Sequence, residues 1–94
     1  MSSGDPRKAR ANLRKYGVSF EEAASVFYDD EALILEDPEH SEDEQRFALL
    51  GLSSLLRLLA VVHCLREPDD TIRIISARKA TPSEAGQYAA RLRP

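Results

Sequence analysis

Apolar positions recur at two spacings along the 94-residue chain, and the change from one to the other separates helices from strands. Ala9, Leu13 and Tyr16 stand at helical intervals. Asp5-Pro6 suits an N-cap and first helical position and Gly17 a left-handed stop, so the spacing predicts a helix over 5–16. "VSFEEAASVF" predicts a second, short helix ending at Asp29-Asp30. Ser19 and Glu22 form a capping box, Val18 can staple onto Ala23, and Phe20, Ala23, Ala24 and Phe27 mark one face. "ALILE" over 32–36 reads as a short strand, "DPEHSEDE" as a polar loop, and residues 45–52 as another strand.

The next run, "LSSLLRLLAVVHCL", fits either period: Leu52, Leu55, Leu56 and Leu59 match a helix. Glu67-Pro68-Asp69-Asp70 supplies a turn, which favours a hairpin of 57–66 with 71–78, because proline has no place inside a ladder. A four-residue turn sets Arg66 opposite Thr71, Cys64 opposite Arg73, Val62 opposite Ile75 and Ala60 opposite Ala77. One face then carries Leu59, Val61, His63, Leu65, Ile72, Ile74, Ser76 and Arg78, and is the better core face. The other carries small residues with Arg66, Arg73 and Lys79, a shallow floor suited to an anion. A slip of one residue would exchange the faces of one strand. "TPSE" at 81–84 opens a last helix with Ala85, Tyr88, Ala89 and Leu92 as its stripe. The elements predict an α+β fold, a small antiparallel sheet with two N-terminal helices and one C-terminal helix, in a single domain over 1–94.

With 43% hydrophobic and 31% charged residues the chain is globular rather than disordered. No apolar run is long enough to span a bilayer and the N-terminal residues lack a signal-peptide core, so the expectation is a cytoplasmic protein without membrane contact. Cys64 is alone, and with His40 and His63 it is too sparsely spaced for zinc; no metal and no cofactor are expected. The net charge of −3 is segregated. Residues 1–18 hold five Lys/Arg against Asp5, residues 19–46 eleven Asp/Glu against Arg46, and residues 47–94 seven basic against four acidic. The acidic segment over 36–46 is a candidate surface for a basic partner.

The strand "TIRIISARKAT" sets Arg73, Arg78 and Lys79 among isoleucines. A charge inside a sheet is costly unless it is paired or reaches solvent. These cations are therefore tied to carboxylates such as Glu44 or Glu84, or one end of the strand opens onto an anionic ligand.

"DPRKARANLRKYGVSFEEAASVF", "EQRFALLG", "LLAVVH" and "RIISARKAT", with Glu84 and Tyr88 behind them, resemble the BrnT toxins of bacterial type II toxin–antitoxin systems over residues 5–88. The resemblance implies a RelE-like fold, metal-independent cleavage of RNA with growth inhibition, and neutralisation by a BrnA-like ribbon-helix-helix antitoxin. It also implies a hetero-oligomer that contacts operator DNA only through that antitoxin. Three departures support a competing reading, a catalytically degenerate member that binds the antitoxin as a corepressor. Only Asp5-Pro6 remains of the family's first, aromatic-acidic strand, Tyr16 replaces a histidine, and "SSLLRLL" lacks the usual turn glycine.

Metal-free RNA cleavage needs a base for the 2′-hydroxyl, charge stabilisation on the phosphorane and protonation of the leaving oxygen. An arginine fork binds phosphate oxygens in pairs and stays charged, which makes Arg78 the first candidate and Arg73 the second. His63 titrates near neutrality and is a candidate acid or base, with a satisfied core histidine as the plain alternative; Glu44 is a candidate base. Lys8, Lys15, Arg66 and Lys79 are candidate contacts to the RNA backbone, with solvated charges as the alternative. The chain has no motif for reading a specific nucleic-acid sequence.

Overall fold

In the computed structural model, local signals and elements agree closely. The order is β1 (Ser2–Ser3), α1 (Pro6–Tyr16), α2 (Phe20–Ser25), a 3-10 turn at Val26–Tyr28, β2 (Leu33–Glu36), β3 (Arg46–Leu52), β4 (Leu58–Arg66), β5 (Thr71–Lys79) and α3 (Pro82–Leu92). The structure describes residues 2–3, 6–36, 46–66 and 71–92; the side chains of Ser2, Ser3, Glu36 and Arg66 are outside that description, as is the acidic segment over 37–45 with His40 and Glu44.

Helix α1 stops where Gly17 takes φ 71°, a conformation that costs glycine nothing, and the Gly17 N–H closes onto the Leu13 carbonyl at 2.9 Å. Helix α2 starts at Ser19, whose Oγ accepts from the Glu22 N–H at 3.0 Å, and the staple residues Val18 and Ala23 are both fully buried. At α3 the capping box closes in both directions: the Glu84 N–H donates to Thr81 Oγ1 at 3.1 Å and the Thr81 N–H to Glu84 Oε1 at 2.9 Å.

The strands form one sheet in the order β1-β5-β4-β3-β2, with β2 to β5 an antiparallel meander. The α+β expectation holds, with two helices before the meander and one after it. The expected loss of the first strand is corrected. Ser2 and Ser3 pair in parallel with Ile72 and Arg73, so a two-residue remnant covers the start of the β5 edge. Beyond it α1 takes over. Asn12 Oδ1 accepts from the Ala77 N–H at 3.0 Å, and its Nδ2 donates to the carbonyls of Ala77 and Val18, each at 2.9 Å. One buried side-chain amide thus does the work of a neighbouring strand on edge groups that cannot be left unpaired.

The run after Leu52 resolves as a turn over 53–57 between β3 and β4, with Ser53 and Arg57 joined N–H to carbonyl at 2.9 Å. The β4–β5 register is as expected for Arg66 with Thr71 and Cys64 with Arg73. It then shifts. His63 pairs with Ile74 but Val62 with Ser76, which leaves Ile75 as a β-bulge. Val62 therefore does not meet Ile75, nor Ala60 meet Ala77; Ala60 faces Arg78 and Leu59 faces Lys79. The alternation argument assumed an unbroken period of two. One extra residue reverses everything after it, so Arg78 moves to the face of Arg73 and Lys79 to the face of His63.

Helices α1 and α2 pack on the His63 face, where Val18, Val26, Leu49, Leu59, Val61, Ile74 and Ala77 make the main core. A fully buried valine or leucine contributes roughly 1.5–3 kcal/mol. On the opposite face Tyr88 of α3 closes a smaller cluster with Leu50 and Ala60. Gly51 allows the 3-10 turn to approach β3, since a Cβ there would lie 3.0 Å from Ala32 Cβ and 3.0 Å from Val26 Cγ1.

Candidate functional site

Pairing across three strands sets out the sheet face opposite the main core as rows. Leu50, Ala60 and Arg78 form the row belonging to the Tyr88 cluster; Ala48, Val62 and Ser76 form the next; Arg46, Cys64 and Arg73 the third. Small residues thus lie between half-buried arginines. Arg73 and Arg78 are opposite Cys64 and Ala60, four residues apart on β4, or ~13 Å at the usual rise of a strand. Arg46 and Arg73 flank Cys64 on either side, two strand spacings or ~9.6 Å apart.

The arginines are held differently. The Arg78 guanidinium meets Glu84 fork to fork, Nη1 to Oε1 at 2.8 Å and Nη2 to Oε2 at 3.0 Å, while Nη1 also donates to the Lys79 carbonyl at 3.2 Å. The Arg78 hydrogen bond, acting against burial, is the main cause that lowers the Glu84 carboxyl to about 2. For the Arg73 side chain the structure gives no hydrogen bond or ion pair among the described residues. Among the described residues it is the strand's half-buried cation without a carboxylate.

His63 lies on the other face, 5% exposed, with Nδ1 3.1 Å from the Val61 carbonyl and its ring edge-on to Phe27 at 4.9 Å. Desolvation pushes its pKa down, opposed by the Val61 carbonyl. The sheet itself separates His63 from Arg73 and Arg78. Lys79 is exposed on the His63 side, where its charge helps to lower the pKa of Glu22. Lys8 and Lys15 line a groove between α1 and β5. Arg66 places its backbone opposite Thr71, its side chain being outside the described residues, as is Glu44. Of the eight expected site residues, the structure brings Arg73 and Arg78 onto one face and places Lys8 and Lys15 together beside it.

Sequence reasoning missed Arg46. Two-residue alternation from Leu50 and Ala48 places it on this face, but its position beside Cys64 depends on the β3–β4 register, which no short turn motif specified. It also missed two anchoring networks. Buried Glu22 binds Arg57 by Nε at 2.9 Å and again through Nη2, and accepts from Ser53 Oγ at 2.6 Å; the Arg57 hydrogen bond is the main cause of its lowered pKa. Asp29 accepts from Tyr88 Oη at 2.6 Å and from the Leu52 N–H at 2.8 Å. Burial, reinforced by Asp29, pushes the Tyr88 phenol up to about 12. Both networks tie helices to the β3–β4 end of the sheet. Among the described residues no group of three or more His, Cys, Asp or Glu converges as metal ligands do, and no helix is long and apolar enough to cross a membrane.

Residues 5–84 match the family model described as "Ribonuclease toxin, BrnT, of type II toxin-antitoxin system". No curated protein matches the chain.

Proposed function

The chain belongs to the BrnT family of ribonuclease toxins of type II toxin–antitoxin systems, and on that premise we propose that it cleaves RNA without a metal ion, on the sheet face that carries Arg46, Arg73 and Arg78. The observation that carries this reading is Arg73. A half-buried guanidinium with no carboxylate among the described residues is costly, and an anion relieves that cost. A phosphodiester has the matching charge, and its two non-bridging oxygens fit the fork.

In this mechanism Arg73 binds the scissile phosphate and stabilises the charge that grows on its oxygens as the 2′-oxygen attacks and the P–O5′ bond breaks, the leaving 5′-oxygen taking its proton from solvent. A guanidinium already held in place, as that of Arg78 is by Glu84, needs no reorganisation at that moment, which is where such stabilisation acts most strongly. Arg78 adds charge further along the face, its plane fixed by Glu84. Glu44, two residues before Arg46 in sequence, is assigned as the base that takes the 2′-hydroxyl proton. His63 has no part, because burial keeps it neutral on the far side of the sheet.

The partner is proposed to be a BrnA-like ribbon-helix-helix antitoxin that holds the toxin inactive in a hetero-oligomer and carries any contact with operator DNA. One observation favours the corepressor alternative: Arg78 is already engaged in a fold-supporting ion pair. Cleavage of a labelled single-stranded RNA in EDTA separates the readings. A product ending in a 2′,3′-cyclic phosphate is the expected result, and intact RNA would leave the corepressor.

A further inference from the structure

Bulging at Ile75 has a second effect, at the sheet edge. It directs Ile75 and Ser76 to a groove of about 270 Å³ against α1, lined also by Lys8, Lys15 and Tyr16. Lys8 and Lys15 are seven residues apart, two helical turns or ~10.5 Å along the axis, on the same side of α1. Among the described residues no carboxylate lines the groove, and α1 itself carries five Lys/Arg and no Asp or Glu. Tyr16 is 36% exposed at the end of the helix, with the Lys15 ammonium 5.2 Å from its ring centroid.

We infer that this groove is a nucleotide subsite, in which a base of single-stranded RNA stacks on Tyr16 while Lys8 and Lys15 hold the phosphates on either side of it. The inference deepens the ribonuclease reading above and rests on it for the identity of the strand. Three features specify the ligand. Two ammoniums with no carboxylate among the described residues lining the groove call for an anion, and an accessible phenol ring calls for a flat apolar group. Ser76 supplies the third. It lines the groove and also lies in the row between Arg73 and Arg78, so one strand of RNA can run from the arginine face over the β5 edge into the groove without leaving the surface. When a base stacks on Tyr16, the Lys15 ammonium moves from the ring to the adjoining phosphate, which keeps the cation paired throughout. Every base has a π-face, so the subsite adds affinity with little sequence preference.

The test is fluorescence anisotropy with a labelled 2′-O-methyl oligonucleotide, which the enzyme cannot cleave because the attacking hydroxyl is blocked. Tyr16→Ala is expected to weaken binding roughly 5- to 150-fold, the range for losing one stacked base, and Tyr16→Phe to bind like the wild type. The double variant Lys8→Gln/Lys15→Gln alters exposed side chains only. It should lower the slope of log K against log salt by ~1.4, or ~0.7 per phosphate contact on a single strand. Wild-type affinity in Tyr16→Ala, a Tyr16→Phe variant as weak as Tyr16→Ala, an unchanged salt slope, or no binding by the wild type would each overturn the subsite. Cleavage of unmodified RNA is read separately. A wild type that binds but does not cut rejects the nuclease and leaves the groove standing, whereas one that cuts while Tyr16→Ala binds equally well rejects only the groove.

Discussion

Arg78 and Glu84 meet through two parallel hydrogen bonds of 2.8 and 3.0 Å, and the same carboxylate caps α3 through the Thr81 N–H. One ion pair thereby fixes the end of β5 to the start of α3 and sets the plane of a guanidinium on the arginine face. Glu84 falls from 4.5 to about 2 on folding. A carboxylate depressed in the folded state adds stability that is complete above its unfolded value and is lost as pH falls towards its folded one. The urea midpoint should therefore fall between pH 4.5 and about 2 more steeply in the wild type than in Glu84→Gln. Parallel curves would show that the pair adds no stability.

His63 gives a pH effect in a different window. Burial holds its folded pKa below 6.5, so the unfolded chain takes up a proton first and stability declines as pH drops below 6.5. His63→Phe should remove that decline and leave the RNA cleavage rate unchanged, since the ring packs against Phe27 and Phe47 on the face away from the arginines. A large loss of cleavage in a folded His63→Phe protein would return the histidine to the chemistry.

Asn12 is predicted to be the most sensitive position on α1. Replacement by leucine strips partners from three backbone groups, at Ala77 and Val18, and each buried polar group left unpaired costs about 1–3 kcal/mol. Denaturant titration should show Asn12→Leu losing several times as much stability as Ala11→Leu, one residue away and exposed. Equal losses would mean that the β5 edge needs no side-chain partner.

Leu56 stands at φ 61° and is 80% exposed, so it bears left-handed strain while burying little. That conformation costs roughly 1–2 kcal/mol for a residue with a Cβ, against ~0.5–1 kcal/mol of added chain entropy for glycine. Leu56→Gly should raise the denaturation midpoint modestly; a lowered midpoint would show that the side chain packs in solution.

What the sequence made legible was mostly local. Ser19, Gly17 and the Thr81–Glu84 box act within a few residues of themselves, and each does in the structure what its chemistry requires. Glu22 marks the boundary. Its backbone is capped as expected, but its side chain bonds Arg57 and Ser53, more than thirty residues away, because burial beside a guanidinium outweighs a return to the cap. The Arg73 and Arg78 pair was legible as chemistry but not as geometry. Residue types named both as phosphate ligands, whereas their common face depends on the single bulge at Ile75. Asn12 at the sheet edge and Arg46 beside Cys64 depend on tertiary pairing that no local period encodes.

The central claim is that the arginine face cuts RNA, and the most direct measurement is the single-turnover cleavage rate of a labelled single-stranded RNA in EDTA for wild type, Arg73→Ala, Arg73→Lys and Arg78→Ala, with circular dichroism on the same preparations. Loss of a group that stabilises transition-state charge typically costs about a hundred- to a thousandfold in rate. Arg73→Ala and Arg78→Ala should each fall in that range while remaining folded, and Arg73→Lys should recover little, since an ammonium keeps the charge but not the fork. Wild-type rates in folded Arg73→Ala and Arg78→Ala proteins would contradict the account.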